Sequence, residues 1–320
     1  MSSSPAQEFQ VRCIRHEADD IISLELAPYD GSLPAFTPGS HIDLHLGNGL
    51  IRSYSLTNGP ADRSCYQIGV FRDPASTGGS AYIHDRLRVG QLMQIGAPRN
   101  NFPLESDASH SVFIAGGIGV TPFLAMAAAL NEQGKLWTLY YSARNRARAA
   151  FLSTAEELAA QGNGRLVCHF DDEADGALLD LAKIMRSAPP EAHFYCCGPA
   201  GMLSAYRNAC AEIPGERVHF EYFSADTQLA TDGGFDVVLA KSGKRINVPA
   251  GNTILDALAA GGVSVPYSCQ QGVCGACEVK VLSGTPDHRD MILTDAERAS
   301  SEIILICCSG SLSDELVLDL

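Results

Sequence analysis

Ser-Cys-Gln-Gln-Gly-Val-Cys-Gly-Ala-Cys, residues 268–277, is the stretch that decides the fold of the C-terminal part of the chain. Its three cysteines have the spacing Cys-x4-Cys-x2-Cys, and another cysteine follows thirty residues after the last of them. Four thiolates at this spacing hold a [2Fe–2S] cluster of the plant type. Small residues in the loop let backbone N–H groups approach the sulfides and stabilise the reduced cluster. The predicted ligands are Cys269, Cys274, Cys277 and Cys307, and the chain is expected to carry single electrons.

A structural zinc site is the alternative use of four thiolates. Zinc cysteines usually come as two close Cys-x2-Cys pairs, whereas the first gap here is four residues, so the cluster is favoured. The fourth ligand depends on side-chain direction: Cys307 and Cys308 are adjacent, and neighbouring side chains on an extended segment point to opposite sides. Cys307 is predicted, because the last ligand of this pattern is followed by a short residue and a serine, here Ser309.

Length and charge limit the classes of protein to which the chain can belong. Its 320 residues suffice for two or three domains, and a net charge of −14 without a run of Lys or Arg argues against nucleic acid or an anionic membrane as partner. The sequence shows no secretion signal and no stretch of ~20 apolar residues. Eleven cysteines, five of them around the cluster loop, then fit a reducing compartment. We expect a cytoplasmic protein that acts as a monomer.

Strand and helix patterns divide the chain into segments. The first hundred residues read as short strands separated by Gly, Pro and Asn, which predicts an antiparallel barrel with strands at 8–15, 21–27, 41–46, 51–56, 65–72 and 92–96. Strands and helices then alternate, which predicts a doubly wound parallel sheet. Its predicted strands are 111–115, 137–142, 165–171, 193–197 and 218–223, and its predicted helices are 122–132, 149–160, 176–186 and 201–210. A polar, Gly-terminated stretch then predicts a linker, followed by a hairpin at 235–240 and 245–248 and a helix at 253–260.

A glycine-rich turn follows the first strand of the predicted parallel sheet. Residues 111–122, Ser-Val-Phe-Ile-Ala-Gly-Gly-Ile-Gly-Val-Thr-Pro, run from strand through turn into a helix. Glycines at such a turn let a pyrophosphate reach the N–H groups of the helix, and ligands bind at the carboxyl ends of the strands in these sheets. The residues predicted to bind the pyrophosphate are Gly116, Gly117 and Gly119.

Polar residues at the ends of the other strands extend this predicted nucleotide site. Arg144 can pair with a phosphate. Asp171 can accept a hydrogen bond from a ribose 2′-hydroxyl and would repel a 2′-phosphate, which favours NADH over NADPH. Cys197 could contact the nicotinamide, within a group that also contains Gly198, Pro199 and Met202.

A flavin is needed between these two predicted groups. NADH delivers two electrons as a hydride, whereas a [2Fe–2S] cluster takes one electron at a time. A flavin can accept the pair and release the electrons singly. The strand Arg-Ser-Tyr-Ser-Leu, residues 52–56, can serve as a flavin clamp through its hydroxyls and its guanidinium. Ser-Thr-Gly-Gly-Ser, residues 76–80, can form a phosphate cradle from backbone N–H groups and a hydroxyl.

The order of these motifs over essentially the whole chain resembles the phthalate dioxygenase reductase family, which includes vanillate demethylase and carnitine monooxygenase reductases. The shared motifs are Arg52-x-Tyr54-Ser55-Leu56, Gly78-Gly79-Ser80, Pro98-Arg99-Asn100-x-Phe102-Pro103-Leu104, Gly116-Gly117-Ile118-Gly119-Val120-Thr121-Pro122, Cys197-Gly198-Pro199, His219-Phe220-Glu221-x-Phe223, the cysteine loop and Asp287-His288-Arg289-Asp290. The resemblance implies a multi-domain fold. Its parts are an antiparallel β-barrel for FMN (1–105), an α/β doubly wound parallel-sheet domain for NADH (106–225), a linker (226–234) and an α+β β-grasp plant-type ferredoxin domain (235–320).

The resemblance also implies the residues that bind the flavin. They are Arg52, Tyr54 and Ser55, the backbone of Val70 and Phe71, the phosphate-binding Gly79, Ser80 and Ala81, and Thr121 and Phe223 beside the isoalloxazine. Two positions depart from the pattern: the segment after Cys308 reads Ser-Gly-Ser where relatives commonly have Ser-Arg, and Ser53 stands where a bulkier residue is sometimes found.

The expected function is therefore that of a reductase component of a two-component oxygenase. Hydride passes from NADH to FMN, with Thr121, Cys197 and Phe223 as the catalytic residues, and single electrons pass through the cluster to a separate oxygenase. A Rieske non-haem iron enzyme acting on an aromatic acid or a similar small substrate is the expected partner. Two alternatives remain open: an FAD-containing reductase of another oxygenase class, and a redox sensor that holds the cluster without turnover.

Overall fold

The computed structural model of the chain describes residues 6–74, 78–223 and 228–320. It divides into two units, Met1–Phe223 and Ser224–Leu320. The first unit contains two hydrophobic cores and the second contains one.

The N-terminal part of the first unit is an antiparallel six-stranded sheet. Its strands, in the spatial order β4-β3-β6-β1-β2-β5, are β1 (Gln7–Ala18), β2 (Ile21–Pro28), β3 (His41–His45), β4 (Ile51–Ser55), β5 (Tyr66–Phe71) and β6 (Leu92–Ile95). An antiparallel bridge between Leu56 and Ile68 joins the two ends of this order, so the sheet closes into the predicted barrel. One helix, α1 (Gly79–Arg86), lies between β5 and β6 in the chain.

The second part of the first unit is a parallel five-stranded sheet with helices between its strands. The strands are β7 (His110–Gly116), β8 (Leu136–Ala143), β9 (Gly164–Phe170), β10 (His193–Cys197) and β11 (Val218–Glu221), in the order β11-β10-β7-β8-β9. The helices are α2 (Thr121–Glu132), α3 (Leu152–Gln161), α4 (Leu181–Ser187) and α5 (Ala200–Ala209). The strand order reverses between β7 and β10, which is the position where such sheets bind ligands.

Three predicted elements of this sheet differ from the observed ones. The helix predicted at 176–186 begins at Leu181, because the Asp180 side chain accepts a hydrogen bond from Lys183 N (2.9 Å) and caps the helix there. The helix predicted at 149–160 begins at Leu152, since Phe151 has a left-handed backbone (φ 57°) that cannot continue a helix. The last strand ends at Glu221 rather than at 223.

The barrel and the parallel sheet meet at strand β5. A Cβ on Gly69 would lie 2.7 Å from Phe151 Cε2 and 2.9 Å from Thr121 Cγ2, so only glycine permits this approach. Phe102, in the segment between the two sheets, packs against Phe123 and Tyr195 in the core of the parallel sheet. Thr121, which directly follows the glycine-rich turn, is thereby held against β5 of the barrel.

The second unit is a mixed sheet with a helix packed against its core. The strands are β12 (Phe235–Leu239), β13 (Arg245–Val248), β14 (Glu278–Ser283), β15 (Pro286–Asp287), β16 (Ile303–Leu305), β17 (Gly310–Ser311) and β18 (Glu315–Leu318), and the helices are α6 (Ile254–Ala260) and α7 (Asp295–Ser300). The main sheet has the order β13-β12-β18-β14-β16, with β12 and β18 parallel. A capping box between Thr253 and Asp256 fixes the start of α6. The fold class predicted from the sequence, including this α+β unit, is confirmed.

The described part of the predicted linker is bonded to the second unit. Ala230 N donates to Cys308 O (2.8 Å), Gly251 N donates to Thr231 O (2.7 Å) and Gly234 N donates to Val248 O (2.8 Å). Residues 226 and 227 of that segment lie outside the described residues. The residue boundaries of the four predicted segments stay predictions. Within the described ranges, no helix combines the length and the apolar character needed to cross a membrane.

Candidate functional site

The four predicted cluster cysteines lie together in the second unit. Cys269, Cys274, Cys277 and Cys307 are all buried. Cys274 contacts Cys269, Cys307 contacts both Cys277 and Cys269, and Cys269 N donates to Cys274 Sγ (3.4 Å). The hydrogen bond with Cys269, followed by burial, raises the pKa of Cys274, and the hydrogen bond with Cys307, followed by burial, raises that of Cys277. When iron binds, it would replace the thiol protons that form these hydrogen bonds.

These thiols form one chain of contacts, from Cys274 to Cys269, from Cys269 to Cys307 and from Cys307 to Cys277. Among the described residues, no three His, Cys, Asp or Glu side chains are placed to hold one metal ion. Four sulfur ligands in mutual contact suit a pair of irons, each of which takes two protein thiolates in such a cluster. The donor set and its arrangement therefore fit a [2Fe–2S] cluster.

Cys308 has neighbours other than these four thiols. Its Sγ lies 3.6 Å from Leu305 O and 3.7 Å from Ser309 Oγ, and it would be 2.5 Å from a Cβ on Gly272. The structure thus brings Cys307, and not Cys308, to the other three thiols. The iron ligands themselves stay a prediction.

The Asp-His-Arg-Asp run, residues 287–290, supports the cysteine loop. Asp290 is almost fully buried, and its Oδ2 accepts hydrogen bonds from Ile292 N (3.2 Å) and Leu293 N (2.8 Å). Met291 N donates to Gly272 O (3.0 Å), and Arg298 Nη2 donates to Asp290 O (2.7 Å). Sequence reasoning quoted this run as a motif but gave it no role. The signal in the sequence was an acid, Asp290, that directly precedes three apolar residues and follows the cysteine loop along the chain.

The glycine-rich turn packs closely against the turn after β10. A Cβ on Gly119 would lie 2.2 Å from Cys197 O and 3.0 Å from Gly198 N, and one on Gly116 would lie 2.7 Å from Pro199 Cδ and 2.9 Å from Met202 Sδ. A short 3₁₀ helix (Gly117–Val120) leads directly into α2. The structure therefore brings together the predicted residues of both turns at the point where the strand order reverses.

The three predicted catalytic residues have different surroundings. Thr121 is buried, and its Oγ1 donates to Ile118 O (3.0 Å). Cys197 is fully buried at the end of β10, and burial raises the pKa of its thiol well above the usual value. Phe223 is 37 % exposed and lies two residues beyond β11, so its ring is available to a planar ligand.

Glu221 is a residue of this site that the sequence placed in a motif without indicating a role. It is the register partner of Cys197 across the parallel pair β10 and β11. Its Oε2 is buried without a hydrogen-bond partner among the described residues, and burial raises its pKa to about 8. An acid within the apolar run of β11, at a carboxyl strand end, was the signal in the sequence.

Replacing Glu221 with glutamine should change how stability depends on pH. Below pH 4.5 both the folded and the unfolded wild type hold the proton; between pH 4.5 and about 8 only the folded state does, so the wild type loses stability as pH rises. Over this range we expect the free energy of unfolding of the wild type to fall by roughly 3–5 kcal/mol. The Glu221→Gln protein should not show this decrease, because glutamine cannot ionise. The measurement is urea unfolding at pH 5, 7 and 9, followed by fluorescence of Trp137, the single tryptophan, which is buried in the same unit. Exposed Glu216→Gln is the control, and an equal pH slope in wild type and Glu221→Gln would contradict the prediction.

Two further residues that are predicted to bind the nucleotide lie at the carboxyl edge of the parallel sheet. Arg144 is exposed and directly follows β8. Asp171 directly follows β9, and its Oδ1 is buried without a hydrogen-bond partner among the described residues, 3.9 Å from His169 Nε2. An unused acceptor at this edge fits a ribose hydroxyl.

The predicted flavin clamp lies on β4 and at the start of α1. A Cβ on Gly79 would lie 2.6 Å from Arg52 Nε and 2.7 Å from Arg52 Cγ, so the guanidinium side chain covers the helix start. The first bond of the helix runs from Tyr82 N to Gly78 O, which leaves the N–H groups of residues 79–81 unused by the helix itself. A cation beside N–H groups at a helix start fits a phosphate.

The other predicted flavin residues surround this point. Burial raises the pKa of Tyr54, and Ser55 is buried at the end of β4. Ser80 Oγ accepts from Asp73 N (3.2 Å), and Val70 O lies 3.1 Å from His84 Nε2, so these two groups already have protein partners. Phe71 ends β5. Ser76 and Thr77 of the predicted cradle lie outside the described residues.

Comparisons with known proteins match this layout. Residues 237–310 match the family model of the 2Fe-2S iron-sulfur cluster binding domain, and residues 113–208 match that of the oxidoreductase NAD-binding domain. The chain is 53 % identical over 312 residues to phenoxybenzoate dioxygenase subunit beta of Ectopseudomonas oleovorans, covering 97 % of this chain and 96 % of that protein.

Two solved structures extend the comparison. Phthalate dioxygenase reductase, described as a modular structure for electron transfer from pyridine nucleotides to [2Fe-2S], is 35 % identical with a TM-score of 0.77, and the match covers 98 % of each chain. An intact type IV self-sufficient cytochrome P450 monooxygenase is 38 % identical with a TM-score of 0.84. That match covers 98 % of this chain but only 41 % of the P450 chain.

Proposed function

The chain belongs to the phthalate dioxygenase reductase family, and we propose that it takes electrons from NADH through FMN and a [2Fe–2S] cluster and delivers them to a separate oxygenase protein. The observation that carries the proposal is the group of four buried cysteines in a chain whose glycine-rich turn leads into Thr121 beside strand β5 of the barrel. FMN, when bound, supplies the change from two-electron to one-electron transfer.

The residues of the first unit would bind and orient the two cofactors. Arg52 and the N–H groups at the start of α1 would bind the FMN phosphate, and Thr121 places its methyl group against β5 at Gly69. The glycine-rich turn would bind the pyrophosphate of NADH. Glu221, whose pKa is raised to about 8, keeps a proton on its carboxyl group at neutral pH beside Cys197. A neutral acid there can donate a hydrogen bond to the carboxamide of a nicotinamide.

The oxygenase partner is proposed to be a Rieske non-haem iron enzyme that acts on an aromatic acid or a similar small molecule. Support comes from the dioxygenase named for the relative that is 53 % identical. The type IV P450, in which a similar module accounts for 41 % of the chain, is the reason to test a haem partner as well. We further propose a cytoplasmic protein that acts as a monomer, which size-exclusion chromatography with light scattering tests.

Cofactor extraction tests the flavin assignment. We expect acid extraction of the purified protein to release FMN and no adenine-containing flavin, and the protein to reduce cytochrome c with NADH. Release of FAD would replace the assignment with the FAD-containing alternative. A protein with full flavin and iron content that does not reduce cytochrome c would instead support the sensor alternative and overturn the proposed function.

A further inference from the structure

We propose that the ion pair between Arg146 and Glu173 makes the site selective for NADH, because Glu173 holds Arg146 where it cannot bind the 2′-phosphate of NADPH. The inference rests on the proposed function, in that it assumes NADH binds at the carboxyl edge of the parallel sheet. Arg146 follows β8 and Glu173 follows β9, and these two strands are neighbours with Ala143 opposite Phe170. The pair therefore lies at the edge where such sheets bind the adenosine half of a dinucleotide.

The guanidinium of Arg146 is held on two sides. Its Nε donates to Glu173 Oε1 (2.7 Å) and its Nη2 to Oε2 (3.5 Å), while its Cζ lies 4.6 Å from the centroid of the Phe170 ring. The hydrogen bond that Arg146 donates to Glu173 raises the pKa of Arg146. Both side chains are more than half exposed, 62 % and 52 %, and exposed pairs contribute little to stability. This pair is therefore accessible to a nucleotide and is not needed for folding.

Asp171 adds a second element of selection. Its buried Oδ1 has no hydrogen-bond partner among the described residues, so it can accept from a ribose 2′-hydroxyl but would repel a 2′-phosphate. Two arginines, Arg144 and Arg146, are nevertheless present at the same edge, and guanidinium groups are the usual protein ligands of phosphate. Selection against NADPH then depends on two carboxylates: Asp171 repels the 2′-phosphate, and Glu173 pairs with Arg146, which could otherwise bind that phosphate. It does not depend on an absence of positively charged residues.

The expected result is a gain of NADPH activity in Glu173→Gln. The amide removes a negative charge that both pairs with Arg146 and would repel a 2′-phosphate, so we expect kcat/KM for NADPH to rise roughly tenfold, equivalent to about 1.4 kcal/mol, mainly through a lower KM. Steady-state reduction of cytochrome c by the flavin- and cluster-loaded protein, with NADPH and NADH in parallel, measures it. Asp172→Asn, the same charge change one residue earlier, is the matched control and should change the NADPH to NADH ratio by less than about threefold.

A double variant shows whether Glu173 acts through Arg146. Glu173→Gln with Arg146→Gln should lose the gain and return NADPH activity to near the wild-type level, because the released guanidinium is absent. The proposal is overturned if Glu173→Gln leaves the ratio unchanged, if Asp172→Asn raises it equally, if the double variant keeps the gain, or if the wild type already uses both nucleotides equally. A wild type that oxidises neither nucleotide would overturn the proposed function instead.

Discussion

Cys307→Ala protein is expected to lack the [2Fe–2S] cluster, whereas Cys308→Ala protein keeps it. Cys307 contacts Cys277 and Cys269, while Cys308 Sγ lies against Leu305 O and the position of Gly272. Loss of one of four thiolates leaves one iron with a single protein ligand instead of two, so we expect cluster absorbance and cytochrome c reduction to fall roughly a hundredfold.

Iron and sulfide analysis, visible absorbance and electron paramagnetic resonance of the dithionite-reduced protein measure this difference. Cys308→Ala is the matched control, because it is the same substitution at the adjacent residue and both side chains are buried. Flavin content should be equal in the two variants, which shows that the first unit is folded in each. A cluster that survives in Cys307→Ala and is lost in Cys308→Ala would show that the ligand assignment is wrong.

Gly119→Ala is expected to weaken NADH binding severely. The added Cβ would lie 2.2 Å from Cys197 O and 2.6 Å from Cys197 C, and both are backbone atoms that cannot rotate away. The two turns at the switch point must separate, and a displacement of about 1 Å in a binding site can cost a hundredfold. We therefore expect the KM for NADH to rise more than tenfold and stability to fall by about 1–3 kcal/mol.

Steady-state kinetics with NADH and thermal unfolding test this result, and the cluster of the second unit serves as an internal check on folding. Gly201→Ala is the matched control, because no atom lies within 4 Å of the added Cβ and the residue is in helix α5 close to the same turns. It should leave the KM near the wild-type value and add stability of about 1 kcal/mol. Equal kinetic effects of the two substitutions would contradict the close packing of the turns.

Local patterns in the sequence predicted most of the architecture because their physical causes are local. Alternating apolar residues and turn glycines marked the barrel strands, and the glycine-rich turn marked the switch point between β7 and β10. The start of α4 was missed because the cap at Asp180 is decided by one side-chain hydrogen bond that periodicity does not show. Cys307 was preferred from its neighbours in the sequence, and the directions of the two thiols now support that choice.

Long-range relations could not be predicted in the same way. The pairing of Glu221 with Cys197 depends on the register of β10 against β11, and the Arg146–Glu173 pair depends on which strands are neighbours. The role of Asp290 depends on backbone hydrogen bonds between segments that are distant in the chain. The charged residues among these are ordinary in the sequence and become informative only when their surroundings are known.

Anaerobic rapid mixing of the flavin- and cluster-loaded protein with NADH tests whether electrons pass from NADH through the flavin to the cluster of the same chain. Flavin and cluster absorbance are followed together, and the mixed sample is frozen for electron paramagnetic resonance. We expect NADH to reduce the flavin and the cluster then to become reduced within the same chain, without any added protein. Flavin reduction that leaves the cluster oxidised, in protein with full iron and sulfide content, would contradict it.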